Sequence, residues 1–241
     1  MQGRRRVMKG WPGEIRVEAD VIKAEQEAAQ AQGQPIEQVI FDFGNVLIRW
    51  QPEMAMVARY GHKSIEAMLD DSRSGFYRAN NMMDGGATCA QALDWVAANC
   101  GAPWDDMFAY YCDHFVDSLT GPVPGARMLV EDLKAAGLGV WGLTNWSAEL
   151  FHHAWDGDSF LHRLDGVVVS GPIHMLKPDP AIYRYALDQF GIQADRALFV
   201  DDKGMNVVGA NKAGIRSLRF SDPYGLRTAL IEAGVNIPQV Q

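Results

Sequence analysis

The chain has 241 residues, 48% of them hydrophobic and 22% charged, and a net charge of −8. That length holds one α/β domain and an insertion around a sizeable core, and the composition is that of an ordinary globular protein. The acidic balance excludes broad binding to nucleic acid or anionic membrane, which needs a basic surface. No apolar run approaches the roughly 20 residues of a membrane span. The basic start, Met1 to Arg6, is followed by no apolar stretch of a secretory signal, so a cytoplasmic protein is expected.

In chain order, residues 1–36 read as an N-terminal extension. Glu14 to Gln32 is rich in alanine and charge, carries a weak apolar stripe and breaks at Gly33 and Pro35, which predicts a marginal helix or a disordered tail. From residue 37 short apolar runs alternate with helical stretches. The predicted strands are Gln38–Phe43, Gly139–Leu143, Gly166–Val169, Ala197–Val200 and Ile215–Arg219. Between them, Ala126–Ala136 reads as a helix closed by Gly137, and Ser147 as the N-cap of the next. Asp179 caps a third helix that has Pro180 at its first position and Gly191 past its end. This alternation predicts an α/β fold: a Rossmann-like parallel sheet with helices on both faces.

The stretch from Pro52 to Leu119 breaks the alternation with several helical segments and no convincing strand. Trp104, Phe108, Tyr111, Phe115 and Leu119 recur at helical spacing, which predicts one amphipathic helix with an aromatic core-facing stripe. The expected organisation is therefore a core domain of residues 37–50 and 120–241, with an all-helical cap domain of residues 51–119 inserted after the first strand. Cys89, Cys100 and Cys112 have neither metal-ligand spacing nor an even count. Cys89 and Cys100 share a helical stripe with Leu93 and Val96, as buried thiols do.

The residues that carry chemistry stand at strand ends. Asp42 follows Val39-Ile40-Phe41, where open α/β sheets place their active sites. Thr144-Asn145 ends a second apolar strand, Lys177 lies in Leu-Lys-Pro-Asp-Pro, and Asp201-Asp202 closes Ala-Leu-Phe-Val. Each pattern alone is weak, but the four in this order resemble the haloacid dehalogenase superfamily of hydrolases over roughly residues 37–235, with a helical C1-type cap. Motif one, Asp42-Phe43-Gly44-Asn45, is most similar to glucose-1-phosphate phosphatase-like members.

The resemblance implies a phosphatase of small phosphorylated metabolites, in which Asp42 attacks phosphorus and forms an aspartyl-phosphate. A carboxylate facing a phosphate dianion requires a cation between them. Mg²⁺, which favours oxygen ligands, would be held by Asp42, Asp202 and the Gly44 carbonyl, with Asp201 acting through water and Asn206 orienting Asp202. Thr144 and Asn145 would cradle the phosphate, and Lys177 would stabilise the transferred group and restrain Asp42. In the cap, the polar run Arg78 to Gly86, Asn81 in particular, is the expected contact for the rest of the substrate. Trp50 and Trp146 are expected either to wall the pocket or to serve the core, and His174, just before Lys177, is a candidate to border the site. His152 and His153, adjacent in a helical segment, should point to different faces and share no metal.

One position departs from the pattern. Most phosphatases of this superfamily carry a second Asp two residues after the nucleophile, which protonates the leaving group; here that position is Gly44. Three readings follow. One is a phosphatase with an easier leaving group, such as a sugar 1-phosphate, and another is a metal-free 2-haloacid dehalogenase, whose halide leaves without a proton. The third is a non-catalytic binding module. Asp201-Asp202 favours a metal and a phosphorylated substrate. A monomer or homodimer, with no nucleic-acid or membrane partner, is expected.

Overall fold

A computed structural model describes residues 34–157 and 159–239; the N-terminal extension expected at residues 1–36 falls almost wholly outside them. Among the described residues the strands are β1 Gln38–Phe41, β2 Ile48–Trp50, β3 Leu119–Pro122, β4 Gly139–Thr144, β5 Gly166–Val169, β6 Ala197–Asp201 and β7 Arg216–Arg219. Five of them form a parallel sheet in the order β5-β4-β1-β6-β7. These are the five expected from their apolar runs, with ends moved by one or two residues.

The side-chain alternation of a strand explains why both sheet faces are covered. Val39 and Phe41 of β1 enter one hydrophobic cluster, while Ile40 between them enters another. On β6 the same alternation sends Leu198 and Val200 to the first cluster, and Ala197 and Phe199 to the second. Helix Pro180–Phe190 covers the second face through Ile182, Tyr183 and Ala186, and helix Gly204–Lys212 through Ala210. Helices Ala126–Ala135 and Pro223–Glu232 supply Leu129, Val130, Leu133, Leu226 and Leu230 to the first. The expected cap at Asp179 is present, its Oδ1 accepting from the Ala181 amide at 2.8 Å, and Gly191 ends that helix at φ +66°. Ser147 Oγ accepts from the Glu149 amide at 3.2 Å, but it opens a run of turns, and regular helix begins only at His152–Trp155.

Between β2 and β3 lie helices His62–Met68, Asp71–Ser74, Phe76–Asp84, Cys89–Asn99 and Trp104–Asp113. β2 and β3 pair antiparallel, Trp50 opposite Leu119 and Ile48 opposite Pro122, so the two chain segments entering and leaving the insertion are zipped together. This pairing corrects the long helix expected over Trp104 to Leu119. The helix stops at Asp113, Phe115–Ser118 is a 3₁₀ turn, and Leu119 begins a strand. The Gln51 amide bonds to the Ser118 carbonyl at 2.8 Å, and Thr120 Oγ1 to Gln51 Oε1 at 2.6 Å. The chain thus turns back to β2 before the apolar period can continue. The aromatic stripe is core, as expected: Phe76, Phe108, Tyr111 and Phe115 interlock, Phe76 and Tyr111 with centroids 4.8 Å apart.

Cys89, Cys100 and Cys112 are free and only half-buried. His152 and His153 do not diverge: on that single helical turn His152 Nδ1 reaches back to the Glu149 carbonyl, and the two rings lie 3.9 Å apart. Among the described residues no helix is long and apolar enough to cross a membrane.

Candidate active site

The sheet order makes β1 the switch point, with β4 on one side and β6 on the other. The carboxyl ends of these three strands therefore converge, and open α/β sheets bind ligands in the crevice there. Asp42, Thr144 and Asp201 occupy those ends, and Lys177 arrives from the loop after β5. Asp42, Asp201 and Asp202 bring one carboxylate oxygen each within 4.8 Å of one another, an arrangement able to hold a metal ion.

Lys177 is the hub. Its Nζ lies 2.8 Å from Asp42 Oδ1, 2.7 Å from Asp201 Oδ2 and 2.9 Å from the Leu143 carbonyl, so each ammonium proton has an acceptor. Burial works to lower the Lys177 pKa, but Asp201 and Asp42 outweigh it and hold it above its ordinary value. Burial likewise raises Asp201, against the pull of Lys177, and raises Asp202, with the charge of Asp42 adding to it.

The two adjacent aspartates have different surroundings. Asp201 is fully engaged: Asn206 Nδ2 lies 3.0 Å from both its oxygens and the Lys203 amide 2.9 Å from Oδ1. This corrects the expectation that Asn206 orients Asp202. Among the described residues Asp202 Oδ1 is buried with no hydrogen-bond partner, and so is Thr144 Oγ1. Buried oxygens without partners are costly in a finished core and fit a place that takes a water or an ion.

Asn145 has a task other than the phosphate contact expected of it. Its Oδ1 accepts from the Lys177 amide at 2.9 Å and its Nδ2 donates to the Lys177 carbonyl at 3.0 Å, which clamps the Lys177 backbone. Gly44 lies beside Asp42 with nothing within 4 Å of where a Cβ would stand, so a side chain would fit at this position. Trp146 is buried against Phe43, Phe115 and Phe151, while Trp50 is half-buried and packs edge-on to Tyr77.

The insertion reaches this site through the end of helix Phe76–Asp84. Ser170 Oγ donates to the Asp84 carbonyl at 2.6 Å and accepts from the Trp146 amide at 2.9 Å, so one hydroxyl ties that helix end to the loop after β4. His174 Nδ1 sits 3.2 Å from the Gly85 carbonyl, and the Cys89 amide donates to Glu149 at 2.6 Å. Gly86 makes this docking possible. Its φ is +102°, and a Cβ would stand 2.1 Å from His174 Nδ1 and 2.8 Å from the Gly171 carbonyl. His174, at φ +55°, thus fastens the insertion to the core.

Asn81, the expected substrate contact, is exposed on its helix; its neighbour Asn80 points inward instead. Asp84 lies within the polar run Arg78 to Gly86, at the end of helix Phe76–Asp84. Burial pushes its carboxyl up to about 7, with Lys203 and Lys177 opposing and Asp42 adding. The only available signal was an acidic residue before the Gly85-Gly86 turn, which is common at helix ends. A separate depression lies against edge strand β5, lined by Trp141, Val168, Tyr185 and Phe190, away from the acidic cluster.

Residues 36–214 match the haloacid dehalogenase-like hydrolases. The chain belongs to this family. It is 29% identical to a sesquiterpene phosphatase of Aspergillus oryzae, over 76% of the chain and 89% of that protein. It is also 31% identical to an (S)-2-haloacid dehalogenase of Burkholderia cepacia, over 41% of the chain and 42% of that protein. A HAD-like family hydrolase from Porphyromonas gingivalis has the same fold, with a TM-score of 0.63 at 19% identity over 83% of this chain and 98% of the other.

Proposed function

We propose that the protein is a Mg²⁺-dependent phosphatase of small phosphorylated metabolites, sugar phosphates among them, working through a phospho-Asp42 intermediate. The observation that carries this reading is the acidic cluster of Asp42, Asp201 and Asp202, in which Asp202 Oδ1 has no partner. An all-oxygen donor set with a free carboxylate oxygen suits Mg²⁺, which takes one or two carboxylates and keeps several waters. Asp42, Asp202 and the Gly44 carbonyl would hold the ion, and Asp201, saturated by Lys177, Asn206 and Lys203, would stand behind them. The bound ion supplies the positive charge that lets a carboxylate approach a phosphate dianion.

The chain's own residues do the rest. Lys177 holds the Asp42 carboxylate in one orientation, and Asn145 holds Lys177, so the nucleophile is positioned before substrate arrives. Thr144 Oγ1 offers a hydroxyl proton to a phosphate oxygen. Asp42 attacks phosphorus in line with the leaving oxygen, and water then cleaves the aspartyl-phosphate. The insertion, acting as a cap over the strand ends, excludes bulk water and selects the organic part of the substrate. Motif one's likeness to glucose-1-phosphate phosphatases puts sugar 1-phosphates on the substrate panel, and the sesquiterpene phosphatase relative adds prenyl phosphates.

The haloacid dehalogenase relative favours a second reading, 2-haloacid hydrolysis without metal. A panel of phosphate esters and 2-haloacids, each with Mg²⁺ and with EDTA, separates the two. Phosphate release that needs Mg²⁺ is expected. Halide release that persists in EDTA, with phosphate esters untouched, would establish the second reading instead.

A further inference from the structure

Gly44 leaves motif one without an acid to protonate the leaving group, yet a carboxyl group reaches the strand ends from the insertion. Asp84 is the last residue of helix Phe76–Asp84, and two independent sets of contacts fix it. Its backbone carbonyl is bound by Ser170 Oγ, which is itself bound to the Trp146 amide beside Thr144. Its side chain ends a relay: Trp50 Nε1 donates to Tyr111 Oη at 3.2 Å, Tyr111 Oη to Asn80 Oδ1 at 3.3 Å, and Asn80 Nδ2 to Asp84 Oδ2 at 3.4 Å.

The charged and titratable groups facing Asp84 come from every element around it. They are Asp42 at the end of β1, Lys177 from the loop after β5, Lys203 after β6 and Tyr111 from helix Trp104–Asp113. Asp84 thus shares the electrostatic field of the nucleophile without belonging to the cluster that would hold the metal.

We propose that Asp84, carried by the insertion, is the general acid of the reaction and replaces the acid that Gly44 cannot supply. The assignment rests on the phosphatase reading. In the first step a bond forms between Asp42 and phosphorus, and the bond from phosphorus to the leaving oxygen breaks. The leaving oxygen takes the electron pair and receives the Asp84 proton. In the second step water attacks phospho-Asp42, its proton passes to the Asp84 carboxylate, and Asp42 departs as a carboxylate with inorganic phosphate released. Both residues return to their starting states. Burial, which raises Asp84 to about 7, keeps a proton on it near neutral pH. Asn80 and Tyr111 are positioning residues, aiming the carboxyl without touching substrate.

The test is leaving-group dependence, read as the burst of alcohol or phenol release in the first turnover. The wild-type protein with Mg²⁺ should show a shallow dependence across alkyl phosphates, phenyl phosphate and p-nitrophenyl phosphate, because a donated proton makes all of them adequate leaving groups. In Asp84→Asn the ratio of the alkyl to the p-nitrophenyl burst rate should fall by about 100-fold, the usual size of a positioned proton donor's contribution. Asp84→Glu should recover part of that ratio. A ratio unchanged in Asp84→Asn would overturn the proposal. If that variant does not fold, a steep leaving-group dependence in the wild type overturns it instead. A wild type that hydrolyses no phosphate ester is a different result and refutes the phosphatase reading itself.

Discussion

The sheet side and the insertion side of the crevice hold their charges in opposite ways. On the sheet side, Lys177 is buried among three acceptors, and Asp201 is held by Lys177, Asn206 and the Lys203 amide. On the insertion side, among the described residues, Asp84 forms no salt bridge, and its carboxyl accepts from the uncharged Asn80 side chain. The first arrangement fixes carboxylates in place against a buried cation; the second keeps a carboxyl protonated and able to give its proton away. A parallel sheet presents its strand ends as a rigid, prepaired field, and the part that exchanges protons with substrate comes from the inserted segment.

The comparison breaks most visibly if Lys177 is removed. Lys177→Met leaves Asp42 and Asp201 buried without their cation, and the loss of one partner from a buried pair costs about 3–5 kcal/mol. Thermal melting of the metal-free variant at neutral pH should show that loss, and melting at acid pH, where the carboxylates take up protons, should show less of it. Gly86→Ala attacks the junction between the two sides. The φ of +102° and the approach to His174 and Gly171 make a cost of about 1–3 kcal/mol the expected outcome. Because the change lies at the joint, activity should fall more than melting temperature does.

The pH dependence of stability sharpens the contrast on the insertion side. The Asp84 carboxyl titrates near 3.8 in an unfolded chain and at about 7 in the folded one. Between these values the folded state holds a proton that the unfolded state has released, so Asp84 makes stability fall as pH rises through this window. Asp84→Asn has no such proton, and its melting temperature relative to wild type should climb from pH 4 to pH 7 in metal-free buffer. A difference that stays flat across that range would contradict the raised value. The smallest effect expected is for Tyr111→Phe, which deletes one link between Trp50 and Asn80 and should cost about 1 kcal/mol in chemical denaturation.

The sheet was readable because each strand is a short apolar run buried on both faces, and Asp42, Thr144 and Asp201 follow directly as strand ends. Lys177 and its contact with Asp42 were also legible, through the ordered motifs. The helical period runs on through Phe115 and Leu119 past the helix end at Asp113, because β2 draws the chain into a strand pair. Asn81 is exposed while Asn80 turns toward Tyr111, since one residue along a helix is a change of face. Asn206 serves Asp201 rather than Asp202: Asp201 ends β6 and both its oxygens accept from Asn206 Nδ2, while Asp202 lies past the strand end. Asp84 lies within the polar run Arg78 to Gly86, but nothing in the sequence sets it apart there, since its environment is built by residues 50, 80, 111 and 170, which only the fold brings together.

The most direct test is mass spectrometry of the protein quenched in acid during turnover of p-nitrophenyl phosphate with Mg²⁺. A single phosphoryl group on the peptide containing Asp42, absent in EDTA and absent in Asp42→Asn, is the result expected. Phosphate release without any phosphorylated Asp42 peptide, or phosphoryl transfer undiminished in Asp42→Asn, would contradict the assignment of Asp42 as nucleophile.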